Sequence, residues 1–272
     1  ARGLREMILV KAGGADSVNW DGLADDIAEV RRSEPVIVIH GAHALRDALA
    51  ARLGVPVRKV VSPSGVTSVY TDEEALEVFL MAYAGVANKR IVAAFLRRGV
   101  DAVGLSGVDG RLWQAQAKKD LLVRENGKTK LLRHNLTGRV EKVNVGLLRI
   151  LIEGGYVPVI SAPAISDEGE IVNTDNDGAA AAVAEQLGIE RLVFLFEAPG
   201  LLRDPDRPET LIREIPRTSL DDHLKFAKDR MQKKILGVKR AFEGGAKEVC
   251  FGDGRRERPL KDALAGLGTV IR

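Results

Sequence analysis

The 272-residue chain carries a single cysteine, Cys250, and no Cys/His cluster, so it can form neither an intrachain disulfide nor a structural zinc site. A reducing, cytoplasmic setting is the expectation that follows. Aromatic residues are scarce: seven Phe, three Tyr and two Trp. That is too few for the stacking platforms single-stranded nucleic acid requires, so no nucleic-acid partner is expected despite a sequence pI near 9.0. No apolar run approaches the ~20 residues of a membrane span, and residues 1–6 lack the apolar core of a signal peptide, so no membrane partner is expected either. The GxxxxGK[ST] pattern is missing, which excludes a P-loop. His43, His134 and His223 have no partner spacing for a metal or a triad, and no metal-ligand set is expected. Asn and Gln together number only eleven, a composition in the direction of heat-adapted proteins.

What the chain does have is charge and periodic apolar sequence. Its 41 Lys+Arg and 38 Asp+Glu nearly cancel to +3, and 45% of residues are hydrophobic, enough for a sizeable core without staples. Short β-branched runs at 7–10, 36–39, 100–105, 157–160, 192–196 and 248–251 are continuously apolar, the pattern of strands covered on both faces. Helical periodicity fills the intervals, at 23–30, 44–53, 72–98, 145–153, 178–187 and 230–242. The β-α alternation predicts an α/β fold, an open three-layer αβα sandwich around a mainly parallel sheet. One interruption, at 121–133, alternates polar and apolar residues around Asn126-Gly127 and predicts an inserted β-hairpin. A soft division near 161–170 separates an N-terminal lobe, 1–165, from a C-terminal lobe, 166–272.

In an open α/β sheet, ligands bind beyond the carboxyl ends of the strands. Four such ends carry suggestive residues. Lys11-Ala12-Gly13-Gly14 puts a cation and two bare backbone positions after the first run, where N–H groups can cradle phosphate. His40-Gly41-Ala42 follows the second. Asn173-Thr174-Asp175 precedes an Ala-rich helix, and Arg230-Met231-Gln232-Lys233-Lys234 opens another. Singly, each has a plain structural reading: a turn, a packed histidine, a pair of helix caps, solvated cations.

Together with Tyr70-Thr71-Asp72, Asn88-Lys89, Gly104-Leu105-Ser106-Gly107 and Pro199-Gly200-Leu201-Leu202, these motifs fall in the order of the amino acid kinase superfamily, and the chain resembles its acetylglutamate kinase branch over nearly its whole length. Leu105 to Gly110, the hairpin with Glu125 to Lys128, and Thr137 to Glu141 resemble, more narrowly, kinases that phosphorylate aminoadipate or glutamate attached to an amino-group carrier protein. The resemblance implies the amino acid kinase fold and transfer of the γ-phosphoryl of ATP, carried with Mg2+, to a side-chain carboxylate in lysine or arginine biosynthesis. It implies Lys11 and Lys234 as catalytic cations on the two sides of the transferring group, and Asp175 as the carboxylate holding both. Gly13 and Gly14 would offer N–H groups to phosphate; Gly41, Ala42, Val69 and Asn173 would lie in the acceptor pocket. Glu197, Gly200, Leu201, Leu202 and Met231 would border the ATP site. A homodimer packed through the 72–98 helix is implied as well.

Three departures accompany this pattern. Relatives have a second glycine at Ala42, whose methyl is expected to crowd the acceptor. They have an arginine at Val69 for the acceptor's α-carboxylate; Arg46 and Arg58 are the candidate substitutes. The nucleotide loop begins Phe196-Glu197 instead of Ser/Thr-Asp. Besides an active carboxylate kinase, a non-catalytic carrier- or nucleotide-binding paralogue and another small-acceptor kinase remain open. The segment 111–142 holds nine Lys/Arg against three acids, leaving 32 basic and 35 acidic residues elsewhere. Since the implied carrier is an acidic protein, Lys118, Lys119, Lys128 and Lys130 are the expected docking cations.

Overall fold

The computed structural model describes residues 7–272 except 64, 66, 126 and 227–229. Asn126 of the expected hairpin turn, and residues 1–6, lie outside the described residues. In chain order the elements are β1 (Ile8–Ala12), α1 (Trp20–Val30), β2 (Val36–His40), α2 (His43–Leu53), β3 (Lys59–Val61), β4 (Thr67–Val69), α3 (Glu73–Leu80), α4 (Asn88–Leu96), β5 (Ala102–Ser106) and β6 (Trp113–Lys118). There follow β7 (Leu121–Glu125), β8 (Lys128–Leu132), β9 (Thr137–Val143), α5 (Val145–Glu153), β10 (Val157–Ser161), β11 (Ala164–Ser166), β12 (Ile171–Thr174), α6 (Asn176–Leu187) and β13 (Arg191–Phe196). The chain ends with β14 (Glu214–Ile215), α7 (Leu220–His223), α8 (Arg230–Glu243), β15 (Glu248–Asp253), α9 (Pro259–Leu264) and β16 (Thr269–Ile271).

The main sheet runs β14-β16-β15-β13-β1-β2-β10-β5, parallel apart from the β15–β16 pair. Strand alternation sorts its side chains into two cores. Ile8, Val10, Val36 and Val38 join Leu23, Ile27, Phe95 and Leu260 on one face. Leu9, Ile37, Ile39 and Phe194 join Leu148, Ala180 and Ile235 on the other. Since successive residues point to opposite faces, Lys11 falls on the Leu9 side, toward α6 and α8. This parity is what aims the first candidate cation. The expected six strands and their helices are all present, and the sheet passes unbroken from β1 to β13, while the expected division near 165 falls at β11.

The antiparallel excursion is larger than one hairpin. β11, β12, β9 and β6 close on one another, and the 121–132 hairpin joins β3 and β4 in a separate sheet, β4-β3-β7-β8. Three-residue strands such as β3 and β4 carry too little period to be seen in sequence. Gly127 has φ +74°, the left-handed geometry a tight hairpin turn demands.

The helix expected at 72–98 begins where Asp72 caps it, its carboxylate accepting from the Ala75 N–H at 3.0 Å. It contains a π-helical stretch, Met81–Ala87, that periodicity did not announce. Glu73–Leu96, which contains an 18-residue stretch of mean hydropathy 1.3, is long and apolar enough to cross a membrane by composition. Here Phe79, Tyr83, Ile91 and Phe95 sink into the two cores.

Candidate active site

The carboxyl ends of β1, β2 and β13 converge on a buried cluster. Lys11 Nζ lies 2.5 Å from Asp177 Oδ1, and Lys234 Nζ lies 3.2 Å from Asp177 Oδ2. All three residues are under 10% exposed. Lys11 comes from a central strand, Asp177 from the first turn of α6 and Lys234 from the first turns of α8, so each stands on a rigid element.

This geometry corrects one expectation. The carboxylate between the two ammonium groups is Asp177, not Asp175. Asp175 is the N-cap of α6, accepting from the Gly178 N–H at 2.9 Å, and its charge favours the protonated form of both lysines. The helix starts at Asn176, two residues before the expected start, which turns position 177 back onto the sheet. Two Asx residues therefore divide the work: one ends the loop, the other pairs the cations.

Burial would raise the Asp177 carboxyl, but the two ammonium groups prevail and hold it down at about 2. Burial likewise opposes charge on Lys11, yet its short contact to Asp177 leaves the pKa raised. Lys234 has the longer contact and also faces Lys11. Burial and that repulsion outweigh Asp177, so its pKa is lowered. Two cations sharing one carboxylate leave a surplus positive charge in a low-dielectric site, an arrangement completed by an anion. Lys234 also stands 5.4 Å above the Phe196 ring, a cation–π contact at the position where the resemblance puts Ser or Thr.

A phosphate group fits the adjoining backbone. A Cβ on Gly14 would sit 2.4 Å from Ala42 N and 2.6 Å from His43 N, so only glycine allows the β1–α1 and β2–α2 junctions to touch there. The Gly14 N–H has no intramolecular partner among the described residues, whereas the Gly13 N–H donates to Leu195 O at 2.8 Å. The expected pair of phosphate donors is thus reduced to one, Gly14. The Gly41 N–H is engaged too, by Ala12 O at 3.1 Å. Ala42 is buried, in the core cluster that also holds Phe79 and Tyr83.

His40 is fully buried. Burial holds its pKa near 4, so the ring is neutral. Its Nδ1 faces Gly41 O at 3.1 Å, which makes that nitrogen the donor, and Nε2 accepts from the Asn88 amide at 3.1 Å. Asn176, which sequence reading passed over, bonds His40 O and the Ala162 N–H, tying the ends of β2 and β10 to α6.

A pocket lined mainly by apolar side chains, among them Val55, Val69 and Phe79, also has Thr71, Asn173 and Arg46 in its wall. Asn173 donates to Thr71 Oγ1 at 3.0 Å. Of the two candidate arginines, Arg46 lines this pocket, while Arg58 stacks over Tyr70 at 5.3 Å and lies 3.7 Å from Glu125.

The expected nucleotide loop is turned inward in part. Leu201 and Leu202 are buried, and the Leu201 N–H donates to Thr269 Oγ1 at 2.9 Å. Gly200 packs against the same threonine. Glu197 is exposed, its carboxylate near Gly13, and Met231 packs against the core at the start of α8. Among the described residues no group of three or more His, Cys, Asp or Glu side chains could hold a metal ion.

Residues 6–253 match the amino acid kinase family. The chain belongs to that family. It is 47% identical over 266 residues to a LysW-aminoadipate kinase of Deinococcus radiodurans, covering 97% of this chain and 91% of that one. A LysW-aminoadipate kinase of Thermus thermophilus is 43% identical over 270 residues, 98% of this chain and all of the other. Among solved structures, N-acetylglutamate synthase from Neisseria gonorrhoeae superposes with a TM-score of 0.78 at 26% identity; the chain spans 60% of that protein's length. The fold expected from sequence is therefore the fold of this kinase family.

The four expected docking lysines are all exposed but not equivalent. Lys119 pairs with Glu168 at 2.5 Å and Glu170 at 3.2 Å, and Lys130 with Glu125 at 2.5 Å. Lys118 and Lys128 form no ion pair among the described residues.

Proposed function

We propose that this kinase transfers the γ-phosphoryl group of ATP to the side-chain carboxylate of 2-aminoadipate or glutamate held on a LysW-type carrier protein, a step of lysine or arginine biosynthesis. The observation that carries the reading is the Lys11–Asp177–Lys234 cluster, buried and one charge positive. Bound MgATP supplies the phosphoryl group, with the metal ion accompanying the nucleotide. A carboxylate is ionised at neutral pH, so the attacking oxygen needs no general base. That oxygen bonds to the γ-phosphorus as the bridge to the β-phosphate breaks, and ADP departs with the electron pair. Catalysis then rests on alignment and on cancelling charge over the phosphoryl oxygens. Lys11, nearer the acceptor pocket, and Lys234, on the nucleotide side, supply that charge; Asp177 holds them apart at fixed distances, and Gly14 N–H adds a donor.

The N-terminal part, to about residue 165, holds the acceptor, and the remainder the nucleotide. Carrier docking falls to the exposed hairpin, with Lys118 and Lys128 foremost because their charge is uncommitted. The hairpin is joined through β3 to β4, which bears Val69, so the docking surface adjoins the acceptor pocket. A cytoplasmic homodimer is the setting proposed for the reaction. A coupled ADP-release assay with carrier-linked aminoadipate, carrier-linked glutamate and free N-acetylglutamate tests this function. Turnover of a carrier-linked acceptor is expected, and ADP release with none of the three would overturn it.

A further inference from the structure

One buried polar side chain takes no part in the chemistry above. Asn135, in the connection from β8 to β9, is 1% exposed, although Arg133 and His134 just before it are on the surface. The chain reaches it through His134, whose φ of +58° is the left-handed geometry of a turn. Burying an amide is costly unless its donors and its acceptor are matched. Here they are. Asn135 Nδ2 donates to Lys118 O at 2.7 Å and to Thr137 Oγ1 at 2.5 Å, while Oδ1 accepts from the Thr71 N–H at 3.4 Å. Its own backbone N–H donates to Lys119 O at 3.0 Å.

These partners belong to two different places. Lys118 and Lys119 are exposed, and they are two of the four expected docking cations. Thr71 lines the pocket, together with Val69 and Asn173. The same connection makes three further bonds on the pocket side: Leu136 N–H to Thr71 O at 2.7 Å, Asn173 N–H to Leu136 O at 2.8 Å, and the Tyr70 hydroxyl to Arg133 O at 2.7 Å. Residues 133–136 therefore clamp the backbone that bears the docking cations to the wall of the pocket. Asn135 reaches both sides through a single side chain.

We propose that Asn135 is a positioning residue for the carrier-linked acceptor: it fixes the spacing between the docking backbone at Lys118–Lys119 and the pocket wall at Thr71 and Asn173. This rests on the carrier-dependent reading above and deepens it. An acceptor attached to a protein arrives at a set offset from that protein's contact surface, so docking site and pocket must keep one spacing to be filled together. With the spacing held, docking makes entry of the acceptor an intramolecular step at high effective concentration. With it loose, the carrier docks and its acceptor falls short. The pocket itself does not depend on the Asn135 side chain, because Thr71 keeps its bonds to Leu136 and Asn173 without it.

The test combines steady-state kinetics of the full chain on carrier-linked aminoadipate with titration calorimetry of the same carrier without aminoadipate, at low salt. Asn135→Ala should lower kcat/KM for the loaded carrier by about 10- to 100-fold, the scale of a small misplacement of a bound reactant. The Kd of the unloaded carrier and the KM for ATP should each stay within about twofold. Charge reversal of Lys118 and Lys128 in the Asn135→Ala background should cost less than it does in the wild type, since a spacing matters only when both contacts are made. Asn135→Asp keeps the bond to Thr71 and loses the donors to Lys118 O and Thr137, so it should show the same selective loss and is the variant to read if Asn135→Ala unfolds. An unchanged kcat/KM, an equal weakening of the unloaded carrier, additive effects in the combined variant, or unfolding of both Asn135 variants would overturn the assignment. Failure of the unloaded carrier to bind the wild type would overturn it too. In all these cases wild-type turnover of the loaded carrier leaves the kinase reading intact; if the wild-type chain turns over no carrier-linked acceptor, both fall together.

Discussion

The lysine cluster and the hairpin surface are both positively charged, and they use charge in opposite ways. Lys11 and Lys234 are buried, fixed to a strand and a helix, and share one carboxylate at 2.5 and 3.2 Å. The hairpin lysines are exposed, and two of the four are already engaged with surface acids. Desolvation makes every ångström count in the first region, where removing one partner strands a charge. In the second, water and salt dilute each pair to little, and only the summed field remains for steering a partner. One region can hold a transition state, and the other can only raise the rate of encounter.

The sharpest way to break that contrast is to remove the shared carboxylate. Asp177→Asn should destabilise the fold by about 3–5 kcal/mol, because it leaves two buried ammonium groups facing each other. It should also abolish measurable turnover, read by urea unfolding and the ADP-release assay. Asp175→Asn keeps a capping side chain, as Asn is as good an N-cap as Asp, and should leave stability within about 1 kcal/mol of wild type. Equal losses in the two variants would return the pairing role to Asp175. Next in size, Lys11→Ala and Lys234→Ala should each lower kcat by about 10²–10³-fold. Near-normal turnover in either would remove the proposed chemistry.

How far these roles could be read without the structure differs residue by residue. Lys11 stood out only within the ordered set of motifs, since Lys-x-Gly-Gly after a strand reads by itself as a turn; strand parity then fixes its face. Asp177 was not, since choosing between two acids two residues apart requires the helix start to within one residue, and α6 begins at Asn176 instead of near Gly178. The six long strands and their helices were visible as apolar runs and 3.6-residue periods. β3, β4 and β14, of three, three and two residues, were not, because their pairing is decided by neighbours distant in sequence. The same holds for Lys119, whose partners Glu168 and Glu170 lie some fifty residues on and meet it only after folding. The inward turn of Leu201 and Leu202 was hidden for a similar reason: the group that anchors them, Thr269, is close to the other end of the chain.

pH separates the two regions further. The Asp177 carboxyl is depressed to about 2 from an ordinary 3.8, so its contribution to stability is complete above about pH 4 and is lost as pH falls toward 2. Unfolding midpoints should drop across that window in the wild type, and the drop should be smaller in Asp177→Asn. At the other end, Lys234 begins with a lowered pKa, and a bound polyanion favours its ammonium form. ATP affinity should therefore weaken as pH rises from neutrality toward 10.5, and in Lys234→Arg, which keeps its charge, it should weaken less; isothermal titration across buffers measures both the affinity and the proton taken up.

The smallest effects belong to the surface. Charge reversal of Lys118 and Lys128 together should raise the KM for the carrier-linked acceptor by about tenfold at low salt and flatten its salt dependence. Reversal of Lys119 and Lys130, whose charges are partly spent on Glu168, Glu170 and Glu125, should do less. The KM for ATP, measured alongside, should not move in either variant. Equal salt sensitivity for carrier-linked and free acceptors would remove the steering role from the hairpin.

The most direct measurement is to trap the product itself. Hydroxylamine converts an acyl phosphate to a hydroxamate, so the wild-type chain, carrier-linked aminoadipate and MgATP should yield hydroxamate on the carrier in step with ADP. ADP release without carrier-bound hydroxamate, or neither product, would contradict the assignment of the Lys11–Asp177–Lys234 cluster to carboxylate phosphorylation.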